Sequence, residues 1–165
     1  MGLRKTIVLT KVYEELLAIG KGQTTDKIED IYADIEEDEV DGVFLCGYPV
    51  FKEICNLEAR RNLRTGEEAA IVLLALEVKY KETEEIEAFR IRQGMVALEN
   101  IIKHSLRIGD VASRYSDSQF IVLLSNCVEK EACVVAKRIE KQFAELGSKF
   151  EMIRIQTHIT KLENK

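Results

Sequence analysis

The chain has 165 residues, of which 46% are hydrophobic and 32% charged, with a net charge of −5 and a pI of about 5.3. That balance supports a buried core under a solvated surface, and it excludes a mainly disordered chain and a generic binder of nucleic-acid backbones. No apolar run approaches the roughly 20 residues that span a bilayer, and Cys46, Cys55, Cys127 and Cys133 show no CxxC spacing, so the expectation is a cytoplasmic protein with no membrane partner, no metal and no cofactor.

From Lys5 to Ile19, the residues Val8, Val12, Leu16 and Ile19 recur at helical spacing, and Gly20 and Gly22 supply the stop. Thr24-Thr25-Asp26 offers caps for a second short helix with the stripe Ile28, Ile31, Tyr32 and Ile35. These two make a helical hairpin over residues 1–40. The acidic run Glu36 to Glu39, with Asp41 beyond it, favours a solvated connection, so residues 41–165 are expected to form a second domain.

A helix over residues 48–64 starts with Pro49 in its first turn, faces Phe51, Ile54 and Cys55 inward and carries Arg60, Arg61 and Arg64 at its far end. Thr65-Gly66 breaks it, and Ala69 to Leu76 is an apolar run of strand length. After a polar stretch, Ile91, Met95, Leu98, Ile102 and Leu106 mark a long helix that continues to Gly109. Val111–Tyr115 and Gln119–Leu124 flank the polar cluster Ser116-Asp117-Ser118 and predict an antiparallel hairpin. Val128, Ala132, Val135, Ala136, Ile139, Phe143 and Leu146 give a further amphipathic helix, and Met152, Ile153, Ile155 and Ile159 a last strand. The order β-α-β-β-α-β predicts an α+β, ferredoxin-like fold: an antiparallel sheet with helices on one face.

The stretch from Arg107-Ile-Gly-Asp110 through Arg114-Tyr115 to Phe120 resembles the signature hairpin of the GGDEF, or diguanylate cyclase, family, which typically reads RxGDxxxRYGGDEF. The resemblance implies a nucleotide-cyclase-like fold over roughly residues 48–160. The five signature positions hold Ser116, Asp117, Ser118, Gln119 and Phe120, so only the phenylalanine survives. In active members the two glycines let the backbone approach GTP phosphates, and an acidic residue in the turn binds a metal; Ser116 and Asp117 obstruct the first, and Ser118 and Gln119 bring no charge to the second. The first metal carboxylate of the preceding strand would fall near Ala75, with Glu77 at the second acidic position, and the family's FKxxND and GHxxGD stretches are absent. The resemblance therefore implies a degenerate domain that is not an enzyme.

Val12 to Leu17 and Asp26 to Tyr32 are similar to the closing helices of the TPR-like activator domain of antibiotic-regulator-type bacterial transcription factors. This resemblance implies a regulatory module, partnered by itself as a dimer or by another domain of its parent regulator, with no direct nucleic-acid contact by this segment. Arg107 and Asp110 stand where GGDEF proteins place an RxxD site for cyclic di-GMP, with Arg61 and Arg64 as candidate phosphate contacts; a nucleotide receptor is therefore the alternative reading. The plainer reading of the same residues is structural. Arg107 complements a helix C-terminus, Gly109 supplies the stop and Asp110 begins a turn, while Arg61 and Arg64 form a solvated face. A residual nucleotide-processing enzyme is the third reading. His104 and His158 lack any partner at metal-ligand spacing, and Cys127 and Cys133 read as buried small hydrophobes.

Overall fold

A computed structural model describes residues 42–163, so the helical hairpin expected over residues 1–40 and the acidic run that follows it lie outside the described residues. The elements in chain order are β1 (Phe44–Leu45), α1 (Tyr48–Thr65), β2 (Ala70–Val78), α2 (Glu84–Ser105), β3 (Val111–Ser116), β4 (Gln119–Leu124), α3 (Glu129–Ala144), a short 3-10 turn at Ser148–Phe150, and β5 (Ile153–Lys161). The strands form one sheet in the order β1-β3-β4-β2-β5. β4 lies between β2 and β3, and β2 between β4 and β5, so β2-α2-β3 and β4-α3-β5 are the two split crossovers of the ferredoxin-like arrangement.

Two features depart from the expectation. The sheet is mixed, because β1 pairs in parallel with β3 through Phe44 opposite Val111 and Leu45 opposite Ala112. A two-residue strand is too short to leave a period in the sequence. The helices also occupy both faces. α2 and α3 bury Met95, Leu98, Ile102, Ala136, Ile139 and Phe143 against Val72, Leu74, Leu76, Phe120 and Val122. α1 instead seats Phe51 on Val111 and Leu123 from the other side, beside Ile71 and Ile121. The apolar alternation of β2 and β4 leaves no polar face, so both sides of the sheet need a cover. Each fully buried Leu, Ile or Phe contributes on the order of 1.5–3 kcal/mol relative to exposure.

α2 fixes the geometry of the larger core. Thr83 caps it, its Oγ1 accepting from the Ile86 N–H at 3.5 Å, and Glu84, Glu85 and Glu87 in the first turn with Lys103 and His104 in the last complement the helix dipole. Gly94 faces the sheet, where an added Cβ would lie 2.9 Å from Leu76 Cδ1 and 3.0 Å from Ile153 Cδ1. A side chain at this position would have to displace the terminal methyls of Leu76 and Ile153. The helix ends at Ser105 and not at Gly109, because Leu106 turns extended (φ −98°, ψ 156°) to bury its side chain.

Candidate functional site

The hairpin of β3 and β4 carries the five signature positions. A bulge between Arg114 and Ser116 brings Ser116 opposite Gln119, and the backbone N–H of Leu76 donates to the carbonyl of Ser118 at 2.8 Å, tying the turn to β2. Ser116 Oγ donates to Gln119 Oε1 at 2.9 Å and accepts from the Ser118 N–H at 3.3 Å, while Arg114 donates to the carbonyls of Ser116 and Asp117. The turn's polar groups are therefore engaged with one another. Asp117 points into solvent, and Phe120 is buried in the α2–α3 core. Tyr115 stands edge-on to Tyr48 at the start of α1, with ring centroids 5.0 Å apart.

Ala75 pairs with Gln119 across β2 and β4, next to the turn. Among Ala75, Glu77, Ser118 and Gln119, Glu77 is the one carboxylate. Its Oε2 accepts from Arg154 Nε at 3.0 Å, from Arg154 Nη2 at 2.8 Å and from Gln156 Nε2 at 2.8 Å. On the far side of the cleft, Glu82 pairs with Arg90, whose hydrogen bond holds the Glu82 carboxyl below its ordinary range, and Glu87 Oε1 accepts from the Glu82 N–H at 2.8 Å. A cleft of about 530 Å³ beside them is lined by Ser118, Glu77, Glu84 and Glu87. This donor set suits magnesium poorly, since that ion demands hard, ionised oxygens in near-octahedral geometry and the nearest carboxylate is neutralised by a guanidinium. Among the described residues, no group of three or more His, Cys, Asp or Glu side chains is placed to hold a metal ion.

Arg107 and Asp110 meet in the connection between α2 and β3. Asp110 Oδ2 accepts from the Arg107 N–H at 3.0 Å, and the Asp110 N–H returns a bond to the Arg107 carbonyl at 3.1 Å. Between them, Gly109 adopts φ +96°, the left-handed region in which a Cβ is strained. The Arg107 guanidinium donates to the carbonyls of Ser125 at 2.7 Å and Asn126 at 3.4 Å, and so braces the β4–α3 loop instead of its own helix end. Asp110 is 2% exposed, and burial pushes its carboxyl above the usual range against the lowering effect of the Arg107 N–H and guanidinium. A cavity of about 510 Å³ opens beside the pair, and Arg138, donating to the Ser105 carbonyl at 2.5 Å, supplies a second guanidinium on its wall.

Arg61 and Arg64 are not brought to this cavity. Both lie in α1, on the opposite side of the sheet, where Arg61 pairs with the buried Glu58 and Arg64 closes the last turn. His104 and His158 are exposed. Cys127 is buried as expected, but Cys133 is exposed on α3, because its position falls outside the Ala132–Ala136–Ile139 stripe. Sequence reasoning missed Arg154, Gln156 and Arg138. Their alternation or helical position was visible, but the pairing that aims them at the sites was not.

Residues 93–161 match the family model described as diguanylate cyclase, GGDEF domain. The chain carries a GGDEF-like domain. In fold, the GGDEF-like domain is similar to a DGC protein from Thermotoga maritima, at 16% identity over 75% of this chain and 85% of that one, with a TM-score of 0.58. It is similar to the GGDEF domain of DgcB from Caulobacter crescentus, solved in complex with c-di-GMP, at 10% identity over 76% and 79% of the two chains and a TM-score of 0.57. The diguanylate cyclase SiaD of Pseudomonas aeruginosa, solved with its activator SiaC, is 14% identical over 96% of this chain and 59% of its own, with a TM-score of 0.58. At such identities the likeness speaks for the fold, a nucleotide-cyclase-like α+β domain with a five-stranded mixed sheet and three helices packed on it among the described residues. No curated protein matches the chain, and no described helix is long and apolar enough to cross a membrane.

Proposed function

We propose that the GGDEF-like domain is a non-catalytic, cytoplasmic regulatory module that acts by association, with a second copy of itself or with another domain of a bacterial transcriptional regulator. One observation carries the reading: the Glu77 carboxylate, beside Ala75 and Ser118, is bound by Arg154 and Gln156. Phosphoryl transfer depends on positioning and on metal-aided charge stabilisation, and a metal competing for Glu77 would have to displace a charge-assisted bond, while among the described residues no three carboxylates are grouped to hold it. The self-bonded turn adds to this, since Ser116 Oγ occupies the Ser118 N–H that a phosphate oxygen would need. The place in a transcriptional regulator rests on the likeness of residues 12–17 and 26–32 to activator-domain helices. Light scattering over a range of concentrations tests association. A dimer or a complex with a neighbouring domain is expected, and a strict monomer that binds no segment of a parent regulator would overturn the reading.

The cavity beside Arg107 and Asp110 supports a second reading, a receptor for cyclic di-GMP or another nucleotide. Two guanidiniums on one wall suit a phosphate, but Arg107 and Asp110 already satisfy backbone groups of two loops. Calorimetry with cyclic di-GMP decides. Binding lost in Arg107→Ala supports a receptor, and no heat removes it.

A further inference from the structure

The chain enters the described domain across the end of α2. Gly42 holds φ +66°, and a Cβ there would lie 3.3 Å from the Lys103 carbonyl oxygen in the last turn of that helix, so this entry suits glycine. β1 follows at once. Val43 and Leu45 pack into the α2–α3 core and Cys46 against the α1 side, while the Phe44 N–H donates to the Asp110 carbonyl at 2.9 Å and the Cys46 N–H to the Ala112 carbonyl at 3.1 Å. This attachment is short beside those of the other strands. β1 matches two residues of β3 in parallel, the less stable pairing per residue, whereas β2 is paired antiparallel with β4 from Ala70 to Ala75 and with β5 from Ala70 to Val78. A cavity of about 520 Å³ is lined by Gly42, Val43 and Leu45 and by Lys103, His104 and Leu106, so β1 bridges a gap where it meets α2.

The Phe44 bond ends on a residue that is tied in several other ways. The Asp110 N–H donates to the Arg107 carbonyl at 3.1 Å, its Oδ2 accepts from the Arg107 N–H at 3.0 Å, and its buried Oδ1 makes no hydrogen bond and lies 3.6 Å from Arg107 Nε. A closed ring of bonds with Arg107 therefore sets the direction of the Asp110 carbonyl. Arg107 is held in turn by the carbonyls of Ser125 and Asn126 in the β4–α3 loop. β1, the α2–β3 connection and the β4–α3 loop thus form one contiguous run of bonds, the kind of path along which two sites couple when one element has two arrangements.

We propose that β1 is a releasable strap and that Arg107, acting through Asp110, is its catch. With the guanidinium on the Ser125 carbonyl, the Asp110 carbonyl is presented to Phe44; when that brace is lost, β1 peels from β3 while β2, β3, β4 and β5 stay paired. Coupling between two sites is reciprocal, so the chain before Gly42 and the cavity beside Arg107 act on each other through β1. The inference goes beyond the reading of a module that works by association and does not depend on it.

Residue-resolved amide hydrogen exchange on the full, isotopically labelled chain tests it. The Phe44 and Cys46 amides are expected to exchange at least about 100-fold faster than those of Val72 and Leu74 in β2, and to respond little to low denaturant, the mark of local opening. Arg107→Ala, a change at an exposed side chain that keeps both backbone bonds to Asp110, is expected to speed exchange at Phe44 and Cys46 at least about fivefold and to leave Val72 and Leu74 within about twofold. Gly42→Val, which strains the left-handed entry, is expected to shift the Arg107 Nε–H resonance from the other end of the path. Phe44 and Cys46 protected as strongly as Val72 and Leu74 overturns the strap. An Arg107→Ala variant that leaves Phe44 and Cys46 unchanged, or speeds all four amides equally, overturns the catch, as does an Arg107 resonance that Gly42→Val does not move.

Discussion

Asp110 couples the α2–β3 connection to pH. Burial raises its carboxyl above the usual range more strongly than the Arg107 N–H and guanidinium lower it. Folding therefore favours the protonated form: the stabilisation is fully present below the unfolded pKa and is lost as pH rises through the folded one. Asp110→Asn, neutral throughout and able to accept from the same N–H, should gain on the wild type as pH rises through and above the ordinary aspartate range, read from denaturant midpoints. Asp110→Ala strands the Arg107 N–H and should cost about 1–3 kcal/mol below the ordinary aspartate range, a cost that shrinks as pH rises and the wild type loses its own contribution. Burial, with Cys46 and Glu58 nearby, pushes the Cys55 thiol up to about 11, so iodoacetamide near neutral pH should alkylate exposed Cys133 well before Cys55, as peptide mapping would register. The turn at Ser116 to Gln119 was legible in the sequence because its bonds are local. The clamp on Glu77 was not, because Arg154 lies 77 residues away and meets it only through the β2–β5 register.

Every α-helix and strand from α1 to β5 left a mark in the sequence, through helical stripes, the apolar run of β2 or the polar break in the hairpin, whereas the 3-10 turn Ser148–Phe150 left none. What periodicity could not give was which face each helix covers. The Phe51, Ile54 and Cys55 stripe of α1 looks like the stripes of α2 and α3, and only the apolar residues on both sides of β2 and β4 hint at a second layer. Gly94 was equally silent, since a glycine inside a helix reads as a weak point until the sheet is seen against it. A larger side chain there must displace the terminal methyls of Leu76 and Ile153 within a packed core. Gly94→Val should destabilise by on the order of 1–3 kcal/mol, despite its better intrinsic helix propensity, and thermal unfolding would measure it.

At the scale of the described domain, a nucleotide-cyclase-like core carries a hairpin turn whose polar groups bond to one another. The α2–α3 layer, the buried Phe120 and the crossovers are those of a nucleotide-cyclase-like domain, and the fold was open to sequence reading because it follows from element order. The functional reading turns on a few positions at the edge of that frame: Ala75, Glu77 with Arg154, and the turn from Ser116 to Gln119. Incubating the full chain with GTP and magnesium and separating the products tests that reading most directly. No cyclic di-GMP above a protein-free blank is expected, and product that accumulates with protein and disappears in Glu77→Gln would contradict it.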